Sequence, residues 1–238
     1  MKPKKKFSLG AFFCLFVFIS MALSIVFVTF RLITAPTTDD GMMGERVKSD
    51  YVLMLLQCIL GIIVMILPGA ISRRLKIEIP SQMMILFVIF LYCAIYLGEV
   101  RSFYYNIPHW DSILHAFSSA MIGSVGFSFV ALLNNSERVP VNLSPLFVAV
   151  FAFCFAVSLG AIWEIYEFTA DEFLHTNMQK FATADGIVLV GHAALWDTIK
   201  DIIIDTVGAL TIAIIGYISL KYKKGWIEKL QIKRKKDS

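Results

Sequence analysis

The sequence predicts an all-α polytopic membrane protein, a bundle of about six transmembrane helices with both termini in the cytoplasm. Three observations predict it. Hydrophobic residues make up 58% of the chain and charged ones only 17%, where a soluble domain is nearer half apolar and a quarter charged. The apolar residues gather into six runs separated by short polar segments. Sixteen of the 22 Lys and Arg residues then fall on one side of the membrane once those runs are taken as spans.

A bilayer core needs about 20 apolar residues in a helix, and six spans are expected over 9–33, 51–71, 82–100, 111–133, 145–174 and 197–220. The first follows Lys2, Lys4, Lys5 and Lys6 and is too long for a signal-peptide core, so it reads as an uncleaved anchor. The third begins after Pro80 and is short unless its helix runs on through Glu99. Ser144-Pro145 supplies an N-cap and a first-turn proline to the fifth, whose length carries its last turns into the interface. Arg73, Arg74 and Lys76 between the second and third spans, Arg138 between the fourth and fifth, and the basic tail 221–238 share a side with the N-terminal lysines. Positive-inside makes that side cytoplasmic. The spans form a single integral membrane domain whose partner is the lipid bilayer. The net charge of +4 lies at the ends of apolar runs, not in a patch, which excludes a nucleic-acid partner. Cys14, Cys58, Cys93 and Cys154 have no metal or redox spacing and read as packing residues.

Ionisable residues inside spans are functional candidates by default. The first two spans hold no acidic residue or histidine, only Arg31 near the end of the first, and read as scaffold. The third ends in Glu99, and the fourth opens with Asp111 and His115. The fifth carries Glu164, Glu167 and Asp171, and the sixth Asp197, Asp201 and Asp205. Spacings of three, four, seven and eight put each set on one helix face. Alternating helix directions put all four sets at one extracytoplasmic level. Asp111 and Asp197 have a simpler reading as N-caps, Asp171 and Glu172 as interfacial charges, and His115 as an interhelical hydrogen-bonder. Glu164, Glu167, Asp201 and Asp205 lie deeper and no cap requires them. The counter-charges at hand are Lys200 and Arg101. The set also admits a purely structural ion network.

So many carboxylates need cations or protons to offset them. Asp111, His115, Glu164, Glu167, Asp201 and Asp205 suit a hard divalent ion such as Mg²⁺, Mn²⁺ or Ca²⁺, or Zn²⁺ through His115. His115 and Glu167 are the candidate catalytic acid/base pair. The same set also suits a proton or cation relay. Trp110-Asp111-Ser112-Ile113 matches Trp196-Asp197-Thr198-Ile199, with Gly123 and Gly208 following at similar distances. This reads either as a duplicated hairpin or as two independent span starts built from an interfacial Trp and an Asp cap. The loop 176–195, with Asp185-Gly186 and His192, reads as a lid or as an ordinary turn region.

In order, Asp111-x3-His115, Trp163-Glu164-x2-Glu167 and Trp196-Asp197-Thr198-x2-Asp201-x3-Asp205-x2-Gly208-Ala209 resemble the YjdF-like bacterial inner-membrane proteins. The likeness covers about half the chain, and Asp205 is its less regular position. A looser similarity links the chain to VanZ-like membrane proteins. The resemblance implies a multi-pass protein of the bacterial plasma (inner) membrane and carries over no activity. Three functions stay open: a metal-dependent hydrolase or transferase acting on a lipid-linked or small extracytoplasmic ligand, a cation- or proton-coupled transporter, and a membrane binding or sensor protein.

Overall fold

The chain is described by a computed structural model covering residues 9–35, 48–134, 143–183 and 187–235. Lys2, Lys4, Lys5, Lys6, Arg138 and Asp185-Gly186 lie outside the described residues. Among the described residues, six helices are long and apolar enough to cross a membrane. They are α1 (Leu9–Thr34), α2 (Lys48–Arg74), the third span Ser81–Val100, α5 (Trp110–Asn134), α6 (Pro145–Leu174) and α7 (His192–Lys221). The third span begins as α3 (Ser81–Leu91) and continues as a π-helix, Tyr92–Val100, so the helix does run through Glu99. Its last wide turn is closed by Arg101 N–H donating to Tyr96 C=O at 2.9 Å. A one-turn α4 (Phe103–Asn106) leads into α5.

The expected N-cap of the fifth span is present: Phe147 N–H donates to Ser144 Oγ at 3.2 Å, with Pro145 in the first turn. The largest displaced boundary is that of the sixth span, which starts at His192 and not at 197. Asp197 is therefore more than a turn inside α7 and caps nothing, while Trp110 is the first residue of α5. The matching Trp-Asp segments thus occupy different positions in their helices; the reading as a span start fails for the second, and neither aspartate is an N-cap, since Asp111 is already the second residue of α5.

The helices form two groups. In the first, α1 packs on α2 and on the third span around Val17, Met21, Cys58, Val88 and Leu91. In the second, α5, α6 and α7 pack all against all. Apolar surface gains nothing by leaving lipid, so close approach of backbones does the packing in such a trio. A Cβ on Gly208 would stand 2.8 Å from the Ala116 carbonyl oxygen, and one on Gly123 would run into Ile212. The groups join along the third span and α5, where Phe90 stacks on Phe117.

The basic tail is no free arm. Ser219 Oγ accepts from the N–H groups of Trp226 and Ile227 and donates to Glu228 Oε2 at 2.8 Å. Ile227 is thereby buried against Phe127 and Val130. The chain then forms β2 (Lys233–Arg234), antiparallel to β1 (Ile77–Glu78) from the loop after α2. The tail thus ties the two groups together at the end of the bundle where α7 finishes.

Candidate functional site

Helix direction brings the acidic residues to the other end. The third span and α6 finish there, and α5 and α7 start there. One turn separates Asp111 from His115, and each turn of α7 adds an aspartate, at 197, 201 and 205. His115, Glu164, Glu167, Asp171, Asp201 and Asp205 are all buried, on inward faces of their helices.

The side chains divide the work. His115 Nε2 lies 3.8 Å from Asp111 Oδ1 and 3.8 Å from Asp201 Oδ2. One ligand atom from each of these three residues falls within 4.8 Å of the others, an arrangement able to hold a metal ion. The outer oxygens of the two aspartates face lysines: Asp111 Oδ2 is bonded by Lys180 Nζ, and Asp201 Oδ1 lies 3.5 Å from Lys200 Nζ. Asp197 bridges the lysines, at 3.2 Å from Lys180 and 2.8 Å from Lys200. Asp205 stands on the opposite side of the imidazole, with Oδ1 3.4 Å from His115 Nδ1. It fits there because residue 160 is glycine; a Cβ at that position would collide with the Asp205 carboxylate. Asp205 is thus placed to orient the histidine and not to share its Nε2 side.

Glu164 is 4% exposed, and neither carboxylate oxygen has a hydrogen-bond partner among the described residues. It lies within electrostatic range of His115, Asp201 and Asp205. Glu167 accepts a bond from Trp163 Nε1 at 2.9 Å. Glu99, from the third span, accepts from Gln57 of α2 at 3.4 Å. The second span therefore reaches the site and is not inert scaffold.

Lys180 is the residue that the sequence reading left out; it counted only Lys200 and Arg101 as available cations. Arg101 is exposed at the end of its span. Lys180 is brought in by Asp171, which is not a plain interfacial charge. Asp171 Oδ1 accepts from Thr176 Oγ1 (2.6 Å) and Met178 N–H (2.7 Å), and Oδ2 from Gln179 N–H (2.9 Å). These three bonds fold the start of the loop over the site. The signal available in the sequence was the Asp171-x4-Thr176 pairing at a helix end followed by a lone lysine between two acidic helices. Burial alone would lower the Lys180 pKa, but Asp111 and Asp197 overcome it and hold the ammonium above its usual range. Tyr104 sits beneath Lys180, with the ammonium 5.6 Å from its ring centroid. Burial, and then Glu99, Asp111 and Glu167, push the Tyr104 phenol well above its ordinary value, so it stays a neutral donor.

A cavity of about 310 Å³ opens from this cluster. Asp111, His115, Glu167, Lys180 and Asp205 line one end of it.

A model of a predicted membrane protein family, DUF2238, matches residues 41–222. The chain belongs to the DUF2238 family. The matched segment contains every site residue just described, so the site lies within the part that defines DUF2238 membership. An uncharacterised protein of Thermotoga maritima is 32% identical over 143 residues, 59% of this chain and 64% of that protein. The match thus spans just under two thirds of the length of this curated relative. No solved structure matches the chain. The comparisons do not show the looser similarity to VanZ-like proteins.

Proposed function

We propose that this protein is a metal-dependent hydrolase or transferase of the bacterial plasma membrane, with its site facing the outside of the cell, and that the YjdF-like resemblance and DUF2238 are one family. The observation that carries the reading is the histidine pair: Asp205 beside Nδ1 leaves Nε2 to join Asp111 and Asp201. A carboxylate on the far nitrogen fixes the tautomer and the ring of a metal-bound histidine. Two carboxylates and one imidazole suit Zn²⁺ or Mn²⁺, with Mg²⁺ or Ca²⁺ better served by a larger oxygen share.

An ion bound there would supply Lewis-acid polarisation of a carbonyl or phosphoryl oxygen and would lower the pKa of water. The protein's own groups have separate tasks. Asp111, His115 and Asp201 would hold the ion. Lys180 and Lys200 neutralise the outer aspartate oxygens and keep the inner ones aimed at the centre. Glu164, buried with both oxygens unengaged, is the general base that takes a proton from water, and Glu167 lines the space where substrate sits. A transport pathway is the weaker reading. Away from this end, the buried polar side chains of α5 include Ser124 and Ser128, which spend their hydroxyls on carbonyls of their own helix.

The test is the metal content of purified full-length protein, with divalent-ion-dependent thermal stabilisation measured beside it. The wild type is expected to carry about one ion per chain and to gain stability with it. The double variant Asp201→Asn/His115→Gln should lose both. Equal stabilisation of wild type and double variant, or none of either, would sink the metal centre.

A further inference from the structure

The cavity does not end at the charged cluster. Four helices, α2, the third span, α5 and α6, supply most of its wall, and their directions agree on its axis. On α5 the lining runs from Asp111 to Ile122, on α2 from Leu53 to Val64, and on the third span from Glu99 back to Phe87. At 1.5 Å per residue, each of these stretches is about 16–18 Å long. The charged end is Asp111, His115, Glu167 and Lys180; the other end is Val64, Phe87, Phe90, Ile122 and Ala156. The back wall is the junction of the third span with α5, and the side walls are α2 and α6, which belong to different helix groups. Wall residues on both sides, Leu60 of α2 and Trp163 and Tyr166 of α6, are also exposed on the bundle surface. The space is therefore a cleft between the two groups, open sideways toward lipid.

We infer that the substrate is a bilayer-derived amphiphile whose oxygen-bearing head meets the Asp111–His115–Asp201 centre and whose single hydrocarbon chain lies in the cleft between α2 and α6. The inference rests on the proposed metal centre for the head and on the cleft alone for the chain. A volume of about 310 Å³ falls at the small end of ligand pockets and is enough for one chain. The walls are apolar over most of their length, so a soluble, fully polar substrate would leave that part of the cleft unmatched. Lys180 and the neutral Tyr104 phenol add two donors at the charged end, which suits an anionic or strongly accepting head such as a phosphate ester.

The probe is dodecyl phosphate bearing a diazirine at the end of its chain, photolysed with the full-length protein in nanodiscs, with adducts mapped by mass spectrometry. Adducts are expected at Val64, Phe87 or Ile122, and excess unlabelled dodecyl phosphate should remove them while equimolar inorganic phosphate does not. Ala94→Phe and, separately, Ile122→Phe place a ring in the cleft and should reduce labelling by about tenfold or more. Metal content, measured on the same samples, reports that each variant is folded. Adducts spread over lipid-facing positions such as Phe27 and Ile63, or competition by inorganic phosphate alone, would overturn the inference. So would undiminished labelling of a metal-loaded Ala94→Phe variant. Labelling of the cleft in a protein that binds no metal would instead reject the metal centre and leave the chain-binding cleft standing.

Discussion

Lys180→Met is the sharpest probe of how the site holds together. Lys180 serves two carboxylates, Asp111 and Asp197, and its side chain is 26% exposed against their 18% and 14%. A hydrogen bond to a charged group contributes about 1.5–3 kcal/mol when buried. Asp197 keeps Lys200 at 2.8 Å, so only Asp111 is left without a lysine. Partial exposure lets water offset some of that loss. The net destabilisation should be about 2 kcal/mol, and at about 2–4 °C per kcal/mol for a chain of this size the Tm should fall by about 4–8 °C. The assay is thermal unfolding in metal-free buffer, followed by tryptophan fluorescence, with Asp111→Asn and the double variant completing a cycle. Neutralising Asp111 first should remove at least about 1 kcal/mol of the Lys180→Met effect. The pH dependence has a definite sign. The folded Lys180 is held above the ordinary lysine value, so its contribution is complete below that value and is lost only as pH rises through the folded one. The gap between wild type and variant should therefore be constant between about pH 7 and 9. A Tm change under about 1 °C, or strict additivity with Asp111→Asn, would refute the bridging role argued for Lys180.

Three further outcomes follow from the same contacts. Asp205→Asn should weaken divalent-ion affinity by about 10–100-fold in a chelator competition without abolishing it, because it removes the partner of Nδ1 and not a ligand. Asp171→Ala deletes three hydrogen bonds that fold the loop, at about 1 kcal/mol each, and should speed tryptic cleavage after Lys180 while the helical circular-dichroism signal is unchanged. Gly208→Val should destabilise the bundle by about 1–3 kcal/mol or more, read as a lower Tm, since even a Cβ there presses on the Ala116 carbonyl.

How much of this was legible in advance varies element by element. The spans were, because lipid imposes length and apolarity on each helix independently of its neighbours, and five of the six starts fall within three residues of expectation. The sixth was not, because Asp197 after Trp196 looks like an N-cap, whereas His192 to Leu195 already belong to α7. The shared level of Asp111, His115, Glu164, Glu167, Asp201 and Asp205 was also legible, since it follows from helix spacing and alternating direction alone. The part played by Lys180 was not. Its approach depends on a loop conformation set by Asp171, and loop backbone has no periodicity to read.

By itself, then, the sequence determined a six-span membrane bundle with an acidic end, because hydropathy and helical repeat are local properties. Tertiary structure decided what that end is. Which nitrogen of His115 meets which aspartate, which oxygens the lysines take, and whether Gly160 leaves room for Asp205 depend on how three helices pack to within an ångström. The cleft that runs from the site toward lipid was beyond the sequence for the same reason: it lies between two helix groups, and no single helix encodes the gap.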